Sequence, residues 1–444
     1  MKGFASILLG LCGLYSGTAL AAGSPGFPRL AGVLIGSPQN YEDPAFQSQI
    51  ARLNVALLNT WPAWKGFNSN SATFNGVIRD IKAINSATQI FQYSIVESIG
   101  AGQGLAGGAF TVPYNKINAM NWWVYNVGVA GAKSLSQWQG SGGPFYEINI
   151  TSSAPIDSNG NRWTDWFANW VTETYVAPNP LIDGVYTDSV SWFPFSSSDA
   201  DWNRDGVADS KHSATTQQLY RQGYQHYFQV LRAKIPSKLL IGNLANWGDP
   251  ASTLTEMKGL LNGGVIEDIV GASWSVETWG GFAAALNWYR KTMNAVAAPK
   301  LVFFQQNIAS ATDYQAVRYG LTTCLMDDGY YAVSPKDDFH SILWYDEFDS
   351  NLGQATSEPP VSSWQKGVYR RDFENGIALV NPRGNGPQTV TLEAGFRKLA
   401  GKQAPAVNDG QPVSSITLGE RDGIVLLRAT SAKKPSPVPL VQIQ

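Results

Sequence analysis

The sequence predicts an α/β fold in which a (β/α)8 TIM barrel is followed by a small antiparallel β-sandwich domain. The first observation behind this prediction is that eight short β-rich runs alternate with longer stretches of helical periodicity, as in a parallel sheet built from βα units. The second is that after about residue 365 short strands follow one another with no helix between them. The 444 residues accommodate both parts, since such a barrel takes about 250 residues.

Eight runs are predicted as the barrel strands. They span residues 31–35, 55–59, 90–95, 184–188, 239–243, 264–267, 301–305 and 330–333. Helices are predicted between them over residues 71–84, 215–235, 251–261, 282–297 and 313–326. A ninth strand-like run, residues 145–150, exceeds the barrel number, and we place it in a long loop between the third and fourth strands.

The C-terminal part of the chain is predicted to form the β-domain. Its strands span residues 368–371, 377–381, 389–393, 415–418 and 423–428, with turn signals such as Asn375-Gly376 between them. The last residues are rich in proline and lysine, which indicates disorder. The predicted organisation is a signal peptide over residues 1–21, a barrel domain over 22–364, a β-sandwich domain over 365–430 and a disordered tail over 431–444.

The N-terminal residues have the pattern of an export signal. Lys2 provides the positive start, residues 7–15 an apolar stretch, and residues 19–21 a small-residue cleavage site. We therefore expect cleavage after Ala21 and a secreted or periplasmic protein. No later segment reaches about 18 uninterrupted apolar residues, so no membrane span is predicted. Removal of the signal leaves Cys324 as the one cysteine, which predicts a buried, unreactive thiol.

Composition and charge favour a carbohydrate partner over a nucleic acid. The formal net charge is -2 and the 32 basic residues are scattered, so the chain offers no basic surface for phosphates. Aromatic residues make up 12% of the chain and include 16 Trp, and flat aromatic faces are surfaces on which sugars stack. Nothing in the sequence indicates an oligomeric state.

Two of the predicted barrel strands end in an acidic residue. Asp188 ends the fourth strand and Glu267 the sixth, each after a glycine and an apolar run. Because functional residues of such barrels lie at the C-terminal strand ends, the two carboxylates are expected to flank one cavity. Hydrolysis of a glycosidic bond needs one carboxylate that attacks or assists and one acid that donates a proton. The alternative is that each acid caps a following helix or pairs with an arginine.

Two further acids compete with Glu267 for its role. Glu277 lies early in the next helix, where an interaction with the helix dipole is the simpler interpretation. Asp268 follows Glu267 directly, and strand alternation turns its side chain away.

Polar and aromatic residues near other strand ends are suited to holding a sugar. Each one alone is better explained by packing, but the same bias at several strand ends favours a binding cleft. The predicted substrate-binding residues are Asn59, Trp61, Trp64, Tyr93, Glu97, Tyr186, Asn243, Trp247, Trp274, Glu277 and Gln305.

One loop has the spacing of a calcium site. Asp201, Asn203, Asp205 and Asp209 place oxygen ligands at alternate positions around Gly206. The twelfth position is a histidine, so the bidentate glutamate of an EF-hand is missing. A shortened calcium loop and a plain Asx-rich turn both fit this pattern. A looser run over residues 157–161 favours a turn.

Other catalytic motifs are absent from the sequence. The three histidines are not in a zinc-ligand spacing, and there is no GxSxG elbow, P-loop or GxGxxG after a strand. We therefore expect no required cofactor, and at most a structural calcium ion.

The sequence resembles a family of bacterial enzymes, hypothetical glycosyl hydrolase family fifteen. The matching phrases lie between about residues 30 and 428, at residues 31–36, 57–62, 183–188, 264–267, 274–279, 318–321, 327–330, 344–349, 367–373 and 379–382. The resemblance implies a TIM barrel with a C-terminal β-domain. It also implies a paired-carboxylate glycosidase similar to α-galactosidase-like retaining enzymes, with Asp188 as nucleophile and Glu267 as acid/base.

The resemblance therefore predicts a glycoside hydrolase that acts on a poly- or oligosaccharide. Two alternatives remain open: a carbohydrate-binding protein without turnover, and a component of an exopolysaccharide system that uses the barrel as a scaffold. The sequence also leaves retention and inversion of the anomeric centre open.

Overall fold

The computed structural model describes most of the chain between residues 25 and 429. The described residues are 25–35, 41–59, 71–100, 110–128, 131–140, 143–244, 246–249, 252, 254–271, 275–336 and 338–429, without the side chains of 71–74, 254 and 255. The predicted signal peptide, the predicted C-terminal tail, and three predicted sugar contacts, Trp61, Trp64 and Trp274, lie outside the described residues.

Eight parallel strands form the barrel, in the order β1-β2-β3-β9-β10-β11-β12-β13. A parallel bridge between Leu30 and Tyr331 joins the first strand region to the last. All eight predicted barrel strands are confirmed. Their bounds are β1 Ala31–Leu34, β2 Val55–Leu58, β3 Gln89–Ile95, β9 Gly184–Asp188, β10 Leu239–Asn243, β11 Gly263–Glu267, β12 Leu301–Ile308 and β13 Tyr330–Pro335.

The barrel strands are apolar on both faces because one face fills the barrel and the other meets the helices. In β2, Val55 and Leu57 belong to the interior cluster, whereas Leu58 packs in the outer core with the helices. Gly184 permits close approach of the next strand, since a Cβ there would lie 2.0 Å from the Leu239 carbonyl oxygen.

Helices surround the barrel, and four of the five predicted ones are confirmed. The bounds are α1 Pro44–Ile50, α2 Ser71–Ile84, α3 Thr111–Met120, α4 Trp163–Val171, α5 Ala214–Lys234, α6 Val276–Ala295 and α7 Tyr314–Cys324. The prediction over residues 251–261 was wrong, because only a short 3-10 helix, Leu254–Met257, forms there. Gly259 has a φ of 82°, in the left-handed region, which is incompatible with a continuing helix. Among the described residues no helix is long and apolar enough to cross a membrane.

A long segment between β3 and β9, residues 96–183, forms what we call the strand-3 insert. The ninth predicted strand lies in it as β8, which confirms its placement outside the barrel sheet. Trp122 and Trp123 are buried in its core. The strands of the insert are β4 Ser98–Gly100, β5 Tyr125–Val127, β6 Lys133–Leu135, β7 Gln137–Gly140 and β8 Gly143–Glu147, in sheets β4-β8-β7 and β5-β6.

The C-terminal strands form a separate antiparallel sheet, in the order β14-β15-β18-β16-β17. The bounds are β14 Tyr369–Phe373, β15 Gly376–Asn381, β16 Gln388–Lys398, β17 Pro412–Leu418 and β18 Asp422–Arg428. The five predicted strands are confirmed, and hydrogen bonds join them into one sheet. Alternate residues serve two cores: Ile377 and Leu379 pack within the domain, whereas Ala378 and Val380 pack with the barrel helices.

Helix α7 connects the β-domain to the barrel. Its Arg318 makes two hydrogen bonds to Asp422 in β18, at 3.0 and 3.1 Å. Cys324 at its C-terminal end is buried, and burial raises the pKa of its thiol to about 12. The prediction of a buried, unreactive thiol is therefore confirmed.

Candidate active site

Three neighbouring barrel strands end in polar side chains that meet at one rim. Asp188, Asn243 and Glu267 are the last residues of β9, β10 and β11, which are adjacent and parallel. In a barrel the carboxyl ends of the strands lie at the same face, where the loops can close over a substrate. All three side chains are half-buried. The structure thus brings together the two predicted catalytic acids and one predicted sugar contact.

The Asn243 amide bridges the two acids. Its nitrogen Nδ2 donates to Asp188 Oδ1 at 2.8 Å and to Glu267 Oε1 at 2.9 Å. Two oxygens that share one donor at these distances are less than about 6 Å apart. The two carboxyl groups therefore face a common space.

Asp188 is held in a fixed orientation by four donors. Oδ1 accepts from the Tyr186 hydroxyl at 3.0 Å, the Ser189 main-chain N–H at 2.8 Å and Asn243. Oδ2 accepts from the Tyr93 hydroxyl at 2.9 Å. Hydrogen bonds to a charged acceptor are among the strongest in proteins, so the carboxylate has little rotational freedom. Tyr93 and Tyr186, predicted as sugar contacts, thus act on the acid itself.

Both tyrosines remain protonated donors. Burial raises the pKa of Tyr93 well above its ordinary value, and the negative charge of Asp188 raises it further. Burial likewise raises the pKa of Tyr186, followed by the charges of Asp188 and Glu267. Because each hydroxyl keeps its proton, each can donate to Asp188 across the neutral pH range.

Glu97 belongs to the strand-3 insert and follows the last residue of β3 by two positions. Its side chain is 1% exposed and accepts from Ser98 Oγ at 2.8 Å. The structure therefore does not present it to a substrate, which corrects the prediction of a sugar contact. Burial raises the pKa of Glu97 well above its ordinary value, and the nearby Glu147 carboxyl raises it further. The Trp138 indole lies close enough to lower the pKa of Glu97. Its N–H, however, makes no hydrogen bond to any residue that the structure describes.

Glu147 is the partner of Glu97 that sequence reasoning missed. It is 2% exposed, and its Oε2 accepts from Ser136 Oγ at 2.6 Å. Burial raises its pKa to about 7, against the lowering effect of its serine donors. The sequence did contain a signal for this residue, because Glu147 lies inside the apolar run of residues 145–150. An acid is rarely buried among apolar residues without a polar partner.

Two predicted sugar contacts pack inside the protein instead. Trp247 is 0% exposed, and its indole N–H donates to the Val190 carbonyl. Glu277 is buried and accepts hydrogen bonds from Tyr319 Oη and the Arg383 main-chain N–H. Because Arg383 follows β15, Glu277 joins the barrel to the β-domain. Neither residue reaches the rim, and both predictions are corrected.

Gln305 and Asn59 are the remaining predicted sugar contacts that the structure describes. Gln305 is opposite Glu267 in the β11–β12 register, is fully buried, and donates to Asn307 Oδ1 at 3.3 Å. Asn59 follows β2 and is half-buried, with its main-chain carbonyl accepting from Gln92 Nε2. Asp268, which follows Glu267, is buried, and its carboxylate accepts two hydrogen bonds from Asn307.

The four predicted calcium ligands come together in one loop after β9. Asp201, Asn203, Asp205 and Asp209 share hydrogen bonds within it, and Ala200 pairs with Asp209 to close it. Within the described part of the chain, no three His, Cys, Asp or Glu side chains converge closely enough to hold a metal ion by themselves.

Comparisons with known proteins agree with the family resemblance. The model of hypothetical glycosyl hydrolase family 15 matches residues 82–377, about two thirds of the chain. No curated protein matches the sequence. Among solved structures, an α-amylase from Anoxybacillus is 10% identical with a TM-score of 0.49, covering 91% of this chain and 98% of its own. The glycoside hydrolase domain of PelA from Pseudomonas aeruginosa is 10% identical with a TM-score of 0.42, covering 72% and 98%. Because its family model matches more than half of the chain, the protein belongs to hypothetical glycosyl hydrolase family 15 and is by family a glycoside hydrolase.

Proposed function

We propose that the protein is a retaining glycoside hydrolase in which Asp188 is the nucleophile and Glu267 the acid/base. The observation that carries the proposal is the Asn243 amide shared by the two carboxylates. Retaining enzymes separate these groups by about 5–5.5 Å, whereas inverting enzymes need about 6.5–9.5 Å to admit a water molecule. A separation of less than about 6 Å between the bridged oxygens supports retention.

In the first step an oxygen of Asp188 attacks the anomeric carbon while the glycosidic C–O bond breaks. Glu267 gives its proton to the departing oxygen, so the leaving sugar departs as a neutral alcohol. Asp188 Oδ2 accepts only the Tyr93 hydrogen bond from the described residues, whereas Oδ1 accepts three. We assign the attack to Oδ2 because it retains a lone pair for the sugar.

In the second step water releases the sugar from Asp188. Glu267, now a carboxylate, removes a proton from the water as its oxygen attacks the anomeric carbon and the ester bond to Asp188 breaks. The second inversion restores the original configuration, and both carboxyl groups return to their starting protonation states. Asn243 contacts both acids and so keeps the two carboxyl groups at a constant separation through both steps.

The substrate in this proposal is a poly- or oligosaccharide met outside the cytoplasm, of bacterial or environmental origin. The export signal predicted over residues 1–21 supports a secreted or periplasmic enzyme. The chemistry uses two carboxylates and water and requires no cofactor. A calcium ion in the 201–209 loop would be structural and would take no part in the reaction.

The first experiment screens the purified chain from Ala22 onward against plant and bacterial polysaccharides for release of reducing ends. Asp188→Asn and Glu267→Gln are expected to lower kcat at least ~10³-fold without a change in folding. Asp80→Asn is the matched control, since it removes an exposed acid on α2 far from the strand ends. Full turnover in both site variants would exclude the assignment.

The second experiment determines the stereochemistry. Proton NMR of the first-formed product is expected to show the anomeric configuration of the substrate. In Asp188→Ala, azide is expected to replace the missing nucleophile and give a glycosyl azide of inverted configuration. A product of inverted configuration from the wild type would refute retention while leaving hydrolysis in place. Glycan binding without turnover across the panel would favour the carbohydrate-binding alternative.

A further inference from the structure

The loop formed by residues 201–209 has its oxygen-bearing side chains at alternate positions and its two ends joined. Ala200 N donates to the Asp209 carbonyl at 3.2 Å, and Asp209 N donates to the Ala200 carbonyl at 2.8 Å. The proposed reaction makes no use of this loop. We propose that it is a calcium site that fastens the strand-3 insert to the segment following the nucleophile strand β9.

The Asp201 carboxylate provides the main support for this proposal. The residue is 5% exposed, and its Oδ2 accepts from the Gly206 main-chain N–H at 3.1 Å, which directs the carboxylate into the loop. Its other oxygen, Oδ1, is buried and has no hydrogen-bond partner among the described residues. The Lys133 ammonium lies 3.9 Å from Oδ2 and is not the missing partner of Oδ1. A buried anionic oxygen without a partner is costly, and a bound cation would satisfy it.

The second Asx-rich run of the chain provides an internal comparison. Asp157 is also buried, but its Oδ1 accepts from the main-chain N–H groups of Asn159 and Asn161, each at 2.9 Å. Its Oδ2 accepts from the Lys116 ammonium at 2.9 Å. Both oxygens of Asp157 are satisfied, so this turn is complete without an ion. The unsatisfied oxygen therefore distinguishes the 201–209 loop from an ordinary turn.

Two further carboxylates of the loop, those of Asp205 and Asp209, both accept a hydrogen bond from the Asn203 amide. Asn203 Nδ2 lies 3.0 Å from Asp205 Oδ2 and 3.1 Å from Asp209 Oδ1, so two carboxylates already surround one positively polarised group. The three acids alone do not close a metal site in the described structure. The site therefore also needs a main-chain carbonyl, for which residue 207 has the right spacing, and the Asn203 side-chain oxygen. In the ion-free loop that oxygen accepts from the Asp205 main-chain N–H at 2.9 Å, so ion binding would reorient the Asn203 amide.

Calcium is the cation that this ligand set suits. It accepts six to eight oxygen ligands in flexible geometry, whereas magnesium demands a near-ideal octahedron with shorter bonds. All the ligands are oxygens, which disfavours zinc and copper. His212 stands where an EF-hand has its bidentate glutamate, so we expect weaker binding than in an EF-hand buffer protein, with Kd above about 10⁻⁷ M.

The loop is tied to the strand-3 insert at several points. Asp201 N donates to the Tyr125 carbonyl at 2.8 Å, and Arg204 donates to the Asn121 carbonyl at 3.0 Å. Asn149 Nδ2 donates to the Trp202 carbonyl at 3.0 Å. A cation that orders the loop would therefore also hold the insert against the barrel. The expected role is stability of the insert, independent of the two catalytic acids.

The test uses the full mature chain after exhaustive treatment with a chelator. We expect added CaCl2 to raise the Tm by several degrees and to bind in a 1:1 ratio by calorimetry, with MgCl2 far less effective at the same concentration. Asp201→Asn and Asp205→Asn are expected to weaken calcium binding at least ~10-fold. Asp199→Asn removes a neighbouring exposed charge outside the loop and is expected to bind calcium as the wild type does.

Two results would overturn the proposal. One is a chelator-treated wild type whose Tm does not respond to calcium and which shows no calcium binding. The other is wild-type calcium affinity in Asp205→Asn, whose exposed side chain allows substitution without loss of folding even where Asp201→Asn fails to fold. Terbium emission sensitised by the buried Trp202 provides a second measurement of occupancy at this loop.

Discussion

The buried pair of Glu97 and Glu147 predicts that the folded protein loses stability as the pH rises from 5 to 8. Burial raises the pKa of Glu147 from 4.5 to about 7, so the folded state holds this proton across a range in which the unfolded state has released it. The neutral side chain therefore favours folding below pH 4.5. That contribution is lost as the pH rises through 7.

The size of the effect follows from the raised pKa. A shift from 4.5 to about 7 corresponds to about 3 kcal/mol between the two protonation states, and about 2.5 kcal/mol of this is lost between pH 5 and pH 8. Glu147→Gln keeps the shape of the side chain and an oxygen for the Ser136 hydroxyl, but it cannot ionise. The variant is expected to remove most of this loss and to be more stable than the wild type at pH 8.

The assay is equilibrium urea unfolding of both proteins at pH 5, 6, 7 and 8, followed by tryptophan fluorescence. Glu173→Gln is the matched control because it removes an exposed acid of the same insert, and its pH dependence is expected to follow the wild type. Any slope that remains in Glu147→Gln belongs in part to Glu97, whose pKa burial also raises. A wild type with constant stability from pH 5 to 8, or a Glu147→Gln variant with the wild-type slope, would refute this account.

Three further predictions concern the bridge, the domain junction and backbone packing. Asn243→Ala is expected to lower kcat ~10²-fold with little change in Tm, because both carboxyl groups lose their shared hydrogen-bond donor. Steady-state kinetics measures the effect, and an unchanged kcat would contradict the prediction. Glu277→Gln is expected to lower the free energy of unfolding in urea by about 1–3 kcal/mol, because it weakens the hydrogen bonds to Tyr319 and Arg383 at the domain junction. The kcat is expected to stay at the wild-type value, and a loss of kcat would indicate that Glu277 acts in the active site. Gly223→Ala is expected to lower the Tm, because the new Cβ would lie 2.4 Å from a carbonyl oxygen of the strand-3 insert. Gly76→Ala on α2 is expected to raise the Tm, because its Cβ would meet nothing closer than 3.7 Å. Equal Tm shifts of the two variants in thermal unfolding would contradict the packing argument.

The barrel strands and the acids at their ends were predictable from the sequence because both follow from local pattern. A strand buried on two faces needs a continuous apolar run, and residues 184–188 and 263–267 show this run ending in an acid. The parallel order of the strands then places their C-terminal ends at one face of the barrel, independent of the conformation of the loops. The position of Asn243 between the two acids follows from the same rule, since β10 lies between β9 and β11.

The residues that local pattern could not place depend on distant contacts. Trp247 and Glu277 follow strand ends in sequence, but the chain turns inward there and buries one against Val190 and the other against the β-domain. Glu97 and Glu147 are 50 positions apart in the sequence. The pairing of β4 with β8, in which Ser98 is opposite Glu147, brings them close together. No periodicity within either segment specifies that pairing, because it is set by the tertiary fold of the insert.

The two carboxyl pairs are connected through Tyr93. Its hydroxyl donates to Asp188, and after burial its pKa is raised by the charges of Asp188, Glu97 and Glu267. A negative charge near a carboxyl group disfavours its ionised form, and the proposed role of Asp188 as nucleophile needs that form. Burial raises the pKa of Glu97 well above its ordinary value, which favours its neutral form. The low-dielectric surroundings that disfavour charge on Glu97 and Glu147 thus reduce the negative charge near Asp188. Two tyrosines, a main-chain N–H and Asn243 hold the Asp188 carboxyl group in place. The insert therefore does more than cover the barrel, because it buries Glu97, whose charge would otherwise disfavour ionisation of Asp188.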